Sequence, residues 1–96
     1  MDNNGYNPSI LDTKPDVCYI SGIQGECARH EIYFGKNRRI SKENGFWVYL
    51  NPNIHTALHG KDGETLDMML KQDCQRVFEK THTRKEFISL IGKSYI

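Results

Sequence analysis

This chain has almost no net charge, no long apolar run and too few cysteines for a disulfide framework. Thirteen basic residues nearly balance twelve acidic residues, and the formal net charge is +1. This balance excludes nucleic-acid binding through overall charge, so any such contact would require a local basic patch. No apolar run approaches the roughly 20 residues of a membrane-spanning helix, and we expect no membrane partner.

The cysteines and the N-terminus both favour a cytoplasmic protein. Cys18, Cys27 and Cys74 are an odd number of thiols without a framework spacing, which is typical of reduced cysteines. The first five residues, Met1 to Gly5, contain neither the basic nor the apolar segment of a signal peptide. We therefore expect a cytoplasmic location.

The length and composition predict one small domain with an N-terminal arm. A chain of 96 residues is long enough for a single modest core. Residues 1–16 are polar, contain Pro8 and Pro15, and predict a flexible arm that is ordered only if other residues hold it. Residues 17–96 carry the apolar patterns of a single folded domain.

Two strand-like segments lie in the first half of that domain. The side chains of residues 29–34 alternate as in a β-strand, and Ile32 and Phe34 are expected on the same face. Residues 46–50 form the strongest strand signal, in which Trp47 and Tyr49 are expected to pack in the core rather than stack on bases. Residues 18–20 predict one further short strand, and the polar, basic residues 35–45 predict a loop.

Three helices are expected after the second strand. Asn51 is a good N-cap and Pro52 suits the first turn of a short helix that should run to about His59. Residues 64–80 predict a longer helix with an apolar stripe, and residues 83–86 form a capping box that begins the last helix. The stripe contains Leu66, Met69, Leu70, Cys74, Val77 and Phe78. The element order predicts an α+β fold that begins strand, strand, helix.

Three histidines are candidate metal ligands. His55 and His59 are four residues apart on the predicted short helix, so their side chains should share one face. His30, on the preceding strand, could supply a third imidazole, with Glu31 beside it. Such imidazoles can hold one divalent cation. The alternative is a pair of histidines that is solvated or satisfied by the core.

A local basic patch is also present. Lys36, Arg38, Arg39 and Lys42 cluster between the two predicted strands. They could contact phosphate groups and position a nucleic-acid duplex. The alternative is a solvated segment in which surface ion pairs engage these charges.

These segments together resemble a known family. The resemblance is to the small HNH-superfamily (ββα-metal) proteins of phage and prophage genomes. Those proteins typically read His-His-Ile-Phe-Gly-Gly and then Asn-Arg-Lys. The matching residues here are His30 to Gly35, Asn37-Arg38-Arg39, Ser41 and Gly45. The similarity covers about residues 17–96. It extends to the closing helices and tail through Leu70-Lys71, Gln75, Phe78-Glu79, Glu86-Phe87 and Ile91-Gly92-Lys93-Ser94-Tyr95.

The resemblance implies a fold and an activity. The fold would be an HNH-like core, made of a β-hairpin and a short helix, followed by two C-terminal helices. One divalent ion (Mg, Mn, Ni or Zn) would be held by His30, His55 and His59, with the basic patch on the phosphates of DNA. The location would be the cytoplasm of a phage-infected bacterial host.

The chain departs from this family at its zinc knuckles. Members usually carry two Cys-x-x-Cys knuckles that bind a structural zinc. The corresponding positions here are Cys18, Ser21, Asn51 and Ile54. One thiolate cannot hold a tetrahedral zinc of this kind, so we expect no structural zinc, with apolar packing of Ile54 in its place.

A second departure concerns the general base. Glu31 stands where the family has the histidine that activates water. Unperturbed Glu, with a pKa of about 4.3, is a weaker base than His at about 6.5. Burial could raise the pKa of Glu31, or this residue could turn inward and become a metal ligand.

Two functions follow as hypotheses. The first is a metal-dependent DNA nuclease or nickase of a phage or mobile element, with Glu31 as an altered catalytic base. The second is a catalytically inactive HNH descendant that inhibits a host defence nuclease such as a CRISPR effector, in the manner of an anti-CRISPR protein. Metal-dependent cleavage of DNA distinguishes them.

Overall fold

Two antiparallel strands and four α-helices make up the chain between residues 2 and 96, which are the residues that the computed structural model describes. Met1, the first residue of the expected arm, lies outside this range. In chain order the elements are β1 (Ala28–Glu31), α1 (Arg38–Asn44), β2 (Trp47–Leu50), α2 (Pro52–Ala57), α3 (Gly63–Phe78) and α4 (Arg84–Ile91). The expected α+β class is confirmed.

The sheet brings His30 and Glu31 opposite the strongest strand of the chain. His30 pairs with Val48 and Glu31 with Trp47. The strand predicted over residues 46–50 is confirmed as β2, but β1 ends at Glu31 rather than at residue 34. The chain bends there because the Ser41 hydroxyl accepts from the Tyr33 N–H at 3.1 Å and donates to the Tyr33 carbonyl at 2.6 Å.

This bend overturns the expected alternation of side chains after β1. Ile32 and Tyr33 are both buried, whereas Phe34 is 55% exposed. The prediction that Phe34 shares the buried face of Ile32 is therefore wrong. Strand periodicity no longer applies once the chain leaves the sheet and enters a 3-10 turn at Gly35–Asn37.

The loop predicted for residues 35–45 is also wrong, because most of it is α1. Gly45 closes this helix with φ of 72°, and its N–H donates to the Ser41 carbonyl. A Cβ at Gly45 would overlap the Pro8 carbonyl oxygen, so only glycine fits. The helix lacks an apolar stripe that would have predicted it, since Ser41 is its one buried residue.

The run Cys18–Ile20 forms a turn instead of the expected strand. The Gly22 N–H donates to the Cys18 carbonyl at 2.8 Å, and the Cys18 N–H donates to the Ile23 carbonyl at 3.0 Å. Tyr19 still reaches the sheet, because its N–H donates to the Tyr49 carbonyl at 2.8 Å. The turn thus packs Cys18 into the core, where it is fully buried.

The start of α2 is as expected, but its end is earlier. The Asn51 side chain accepts from the Ile54 N–H at 2.8 Å, with Pro52 in the first turn. The helix ends at Ala57, so His59 lies in the following turn, where its N–H donates to the Thr56 carbonyl at 3.0 Å. The two histidines therefore do not share one regular helical face.

An aromatic cluster forms the centre of the core under the C-terminal helices. Phe46 contacts Tyr33, Phe78 and Phe87 with ring centroids 5.5–6.3 Å apart. The capping box of α4 is confirmed, since Thr83 and Glu86 exchange their hydrogen bonds. Leu70, Cys74 and Phe78 of the predicted stripe are buried, as are Phe87 and Ile91 of α4, but Met69 is 37% exposed because it faces away from the cluster.

The N-terminal arm lies against the domain. The Asn7 N–H donates to the Lys42 carbonyl at 2.9 Å, and the Trp47 indole N–H donates to the Asn7 carbonyl at 2.8 Å. The Arg29 guanidinium lies 4.4 Å from the Tyr6 ring centroid and 4.8 Å from that of Trp47. These contacts are what holds a segment that sequence alone predicted to be flexible. None of the helices between residues 2 and 96 has the length and apolarity needed to cross a membrane.

Candidate functional site

The three candidate ligands meet at one cavity of about 490 Å³. His30 reaches it from β1, His55 from α2 and His59 from the turn after α2. The ring centroids are 5.4 Å apart for His30 and His55, and 6.0 Å apart for His55 and His59. The sheet and the short helix therefore bring together residues that are far apart in the sequence.

His30 is the most enclosed of the three imidazoles. It is 9% exposed, and its Nε2 atom is buried without a hydrogen-bond partner among residues 2–96. Burial lowers the pKa of His30 to about 4, with a further contribution from the neighbouring His55. The ring is therefore neutral at physiological pH, which is the form that binds a metal ion.

The geometry fits a cation in part. Imidazoles bound to one tetrahedral ion through bonds of about 2.0–2.1 Å have ring centroids roughly 5 Å apart, close to the spacing of His30 and His55. An unpartnered buried nitrogen also suits a ligand. Within residues 2–96, however, no group of three or more His, Cys, Asp or Glu side chains is arranged to hold a metal ion as they stand. Side-chain rotation would have to complete such a site.

Glu31, the candidate base, lines the cavity and is engaged by arginine. The Arg38 Nε donates to the Glu31 carboxylate at 2.8 Å. Burial is the largest single influence and acts to raise the pKa of Glu31, but hydrogen bonds from Arg38, the Glu31 backbone and Tyr6, with the charge of Arg38, together lower it. Glu31 is therefore a carboxylate at neutral pH and is held in place on one side of the cavity.

The basic patch comes together, but two of its members have acidic partners. Lys36, Arg38, Arg39 and Lys42 surround a second cavity of about 540 Å³. Arg38 pairs with Glu31, and Arg39 pairs with Glu43 at 2.7 Å. The ion pairs that sequence analysis gave as the alternative are thus present. The Arg39–Glu43 pair is exposed at both ends, whereas in the Arg38–Glu31 pair the Glu31 side chain is only 13% exposed.

Several residues at the histidine cavity were not anticipated from the sequence. Phe34, Leu58, Gly63, Glu64 and Asp67 also line it. The two acids come from the first turns of α3, three residues apart. Their spacing gives them one helix face, but no sequence signal shows that this face meets the histidines, because that depends on how α3 packs against α2.

The four positions that correspond to the zinc knuckles of the family lie close together. The Asn51 side-chain amide donates to the Ser21 hydroxyl at 3.3 Å and accepts from the Ile54 N–H. Burial would raise the pKa of Cys18, but hydrogen bonds from the Ser21 hydroxyl and the Asn51 backbone lower it. Hydrogen bonds and packing therefore link the segments that knuckles would join.

These contacts predict the behaviour of a Cys18→Ser variant. We expect it to remain folded, with the free energy of unfolding lowered by about 0.5–3 kcal/mol, the ordinary range for a point substitution. Circular dichroism with urea titration measures this, and a chromogenic chelator detects any zinc released on unfolding. Cys27→Ser, at a half-buried thiol, is the control. An unfolded Cys18→Ser chain together with zinc release from wild type would contradict the prediction.

Comparisons with known proteins do not assign the chain to a family. No protein-family model, no curated protein and no solved structure matches the chain.

Proposed function

We propose that this protein is an HNH-like, metal-dependent DNA nuclease or nickase with an altered general base. The observation that carries the proposal is the gathering of three imidazoles in one cavity, with the Nε2 atom of His30 buried and unpartnered there. A carboxylate and an arginine lie beside them. The resemblance to phage and prophage HNH proteins supports the same conclusion.

Each group has a chemical role in this proposal. His30, His55 and His59 would hold one divalent ion, which stabilises negative charge on the scissile phosphate and leaving oxygen. Glu31 would accept a proton from the attacking water. Arg38, the member of the basic patch that pairs with Glu31, would exchange this ion pair for a phosphate oxygen, because guanidinium groups bind carboxylates and phosphates in similar ways.

A second candidate is an inactive HNH descendant that binds and inhibits a host defence protein such as a CRISPR effector. The ion pair between Glu31 and Arg38 favours it, because a carboxylate with a lowered pKa is a weak proton acceptor at neutral pH. Inhibition of such a nuclease by a protein that cuts no DNA would support this candidate.

Metal binding provides the direct test of the proposed site. Calorimetric titration of tag-free protein with zinc, nickel or manganese should show one ion per chain. His55→Ala should abolish binding and any plasmid cleavage, because it removes the central imidazole of the three. His55 is half-buried, so the fold should tolerate its loss.

The matched control is His82→Ala. His82 stacks on Phe78 at 4.2 Å and does not line the histidine cavity. This variant should bind one ion as wild type does. A wild-type protein that binds none of the three metals, or equal binding by His55→Ala, would refute the proposed site.

A further inference from the structure

A carboxylate on α3 lines the same cavity as the three imidazoles. Asp67 and Glu64 both lie at this cavity. The start of α3 packs so tightly on the end of α2 that a Cβ at Gly63 would overlap the Leu58 carbonyl oxygen. This close approach fixes the first turns of α3 beside the segment that carries His55.

Asp67 and the buried imidazole of His30 line the same cavity. His30 is nine-tenths buried, and no atom among residues 2–96 accepts from or donates to its Nε2. A ligand bound by both His30 and Asp67 at this cavity would satisfy the unpartnered imidazole nitrogen.

We propose that Asp67 is a further ligand of the divalent ion at this site, and that Lys71 holds its carboxylate until the ion binds. This inference rests on the proposed function, since it requires the imidazole site. Three neutral imidazoles bring no negative charge to a dication. A carboxylate supplies that charge, and catalytic zinc sites commonly combine two histidines with a glutamate. Manganese and magnesium favour carboxylate oxygens still more strongly.

The present partner of Asp67 has other contacts of its own. The Lys71 ammonium lies 2.7 Å from the Asp67 carboxylate. It also lies over two aromatic rings, 4.7 Å from the Phe34 centroid and 5.3 Å from the Tyr95 centroid. These cation–π contacts would remain when Asp67 turns to an ion, so Lys71 would not lose all of its partners.

The other acids at the cavity are less suited to this role. Glu31 already accepts from Arg38 at 2.8 Å and has the position of the base. Glu64 is exposed, one helical turn earlier than Asp67. Because it shares the helix and the cavity but not the Lys71 contact, Glu64→Gln is a matched control for Asp67→Asn.

Calorimetry with MnCl₂ and NiCl₂ on the full chain tests the inference. Asp67→Asn should weaken manganese binding by about 10-fold or more, in the range found for residues that support a metal site. Nickel affinity should fall less, because imidazole is the preferred ligand of nickel. Lys71→Met should tighten manganese binding, since it removes the competitor for Asp67. Glu64→Gln should match wild type, and circular dichroism checks each fold.

The outcomes separate this inference from the function on which it rests. Unchanged manganese affinity in Asp67→Asn, beside a loss in His55→Ala, overturns the role of Asp67 and leaves the imidazole site intact. Equal losses for manganese and nickel indicate a structural effect and also overturn it. If Asp67→Asn does not fold, unchanged or weaker manganese binding in Lys71→Met overturns it. A wild-type protein that binds no ion overturns both proposals.

Discussion

Phe78→Ala should lower the free energy of unfolding by about 3–5 kcal/mol, the usual loss for a buried aromatic side chain. Phe78 is 7% exposed, meets Phe46 edge to face at 5.5 Å and stacks on His82 at 4.2 Å. Removing it leaves a cavity at the junction of α3 and β2. The free energy of unfolding of a domain is typically about 5–15 kcal/mol. The expected loss in Phe78→Ala is therefore a large part of the stability of this protein.

Urea unfolding followed by the fluorescence of Trp47, the single tryptophan, measures the change. Met68→Ala is the control on the same helix, because Met68 is 41% exposed and its loss should stay within about 0.5 kcal/mol. Equal effects in the two variants would show that α3 does not pack on the aromatic cluster through Phe78.

Local patterns predicted the elements that are fixed by nearby residues. The Asn51 cap and the Thr83–Glu86 capping box depend on neighbours in the chain, and both are present; the strand signal of residues 46–50 comes from its own β-branched and aromatic side chains, and β2 is present there. The helix α1 escaped prediction because it has no apolar stripe. Its position is fixed instead by distant contacts, in which Ser41 binds Tyr33 and the N-terminal arm passes beside Gly45.

The candidate site was predictable only in part, for the same reason. His30, His55 and His59 were chosen from their spacing and from the resemblance, and the structure does place them at one cavity. Asp67 could not be found, because its place depends on the packing of α3 against α2. The partner of Glu31 was also hidden, since it depends on tertiary placement, and the i,i+4 pair of Arg39 with Glu43 was missed because α1 was predicted to be a loop.

Replacing the candidate base should produce the largest change in activity. Wild type should cut DNA slowly, or not measurably, with added divalent ion, because Arg38 holds the Glu31 carboxylate and lowers its pKa. Glu31→His should raise the cleavage rate by about 10²–10⁴-fold, the usual contribution of general acid–base catalysis. Imidazole has a pKa near the working pH and also leaves Arg38 free to bind phosphate. Supercoiled plasmid and single-stranded DNA are the substrates.

Two variants separate the base from its ion pair. Glu31→Gln also frees Arg38 but cannot accept a proton, so it should bind the ion and lose any residual cutting. Glu43→Gln frees Arg39 at the basic patch but leaves the Glu31–Arg38 pair intact, so its cutting should stay well below that of Glu31→His. If wild type and Glu31→His both bind the ion and neither cuts any DNA form, catalysis is absent and the inhibitor hypothesis replaces the nuclease. Rapid cutting by wild type would instead show that proton transfer to Glu31 does not limit the rate. Glu31 would then be an effective base despite its ion pair with Arg38.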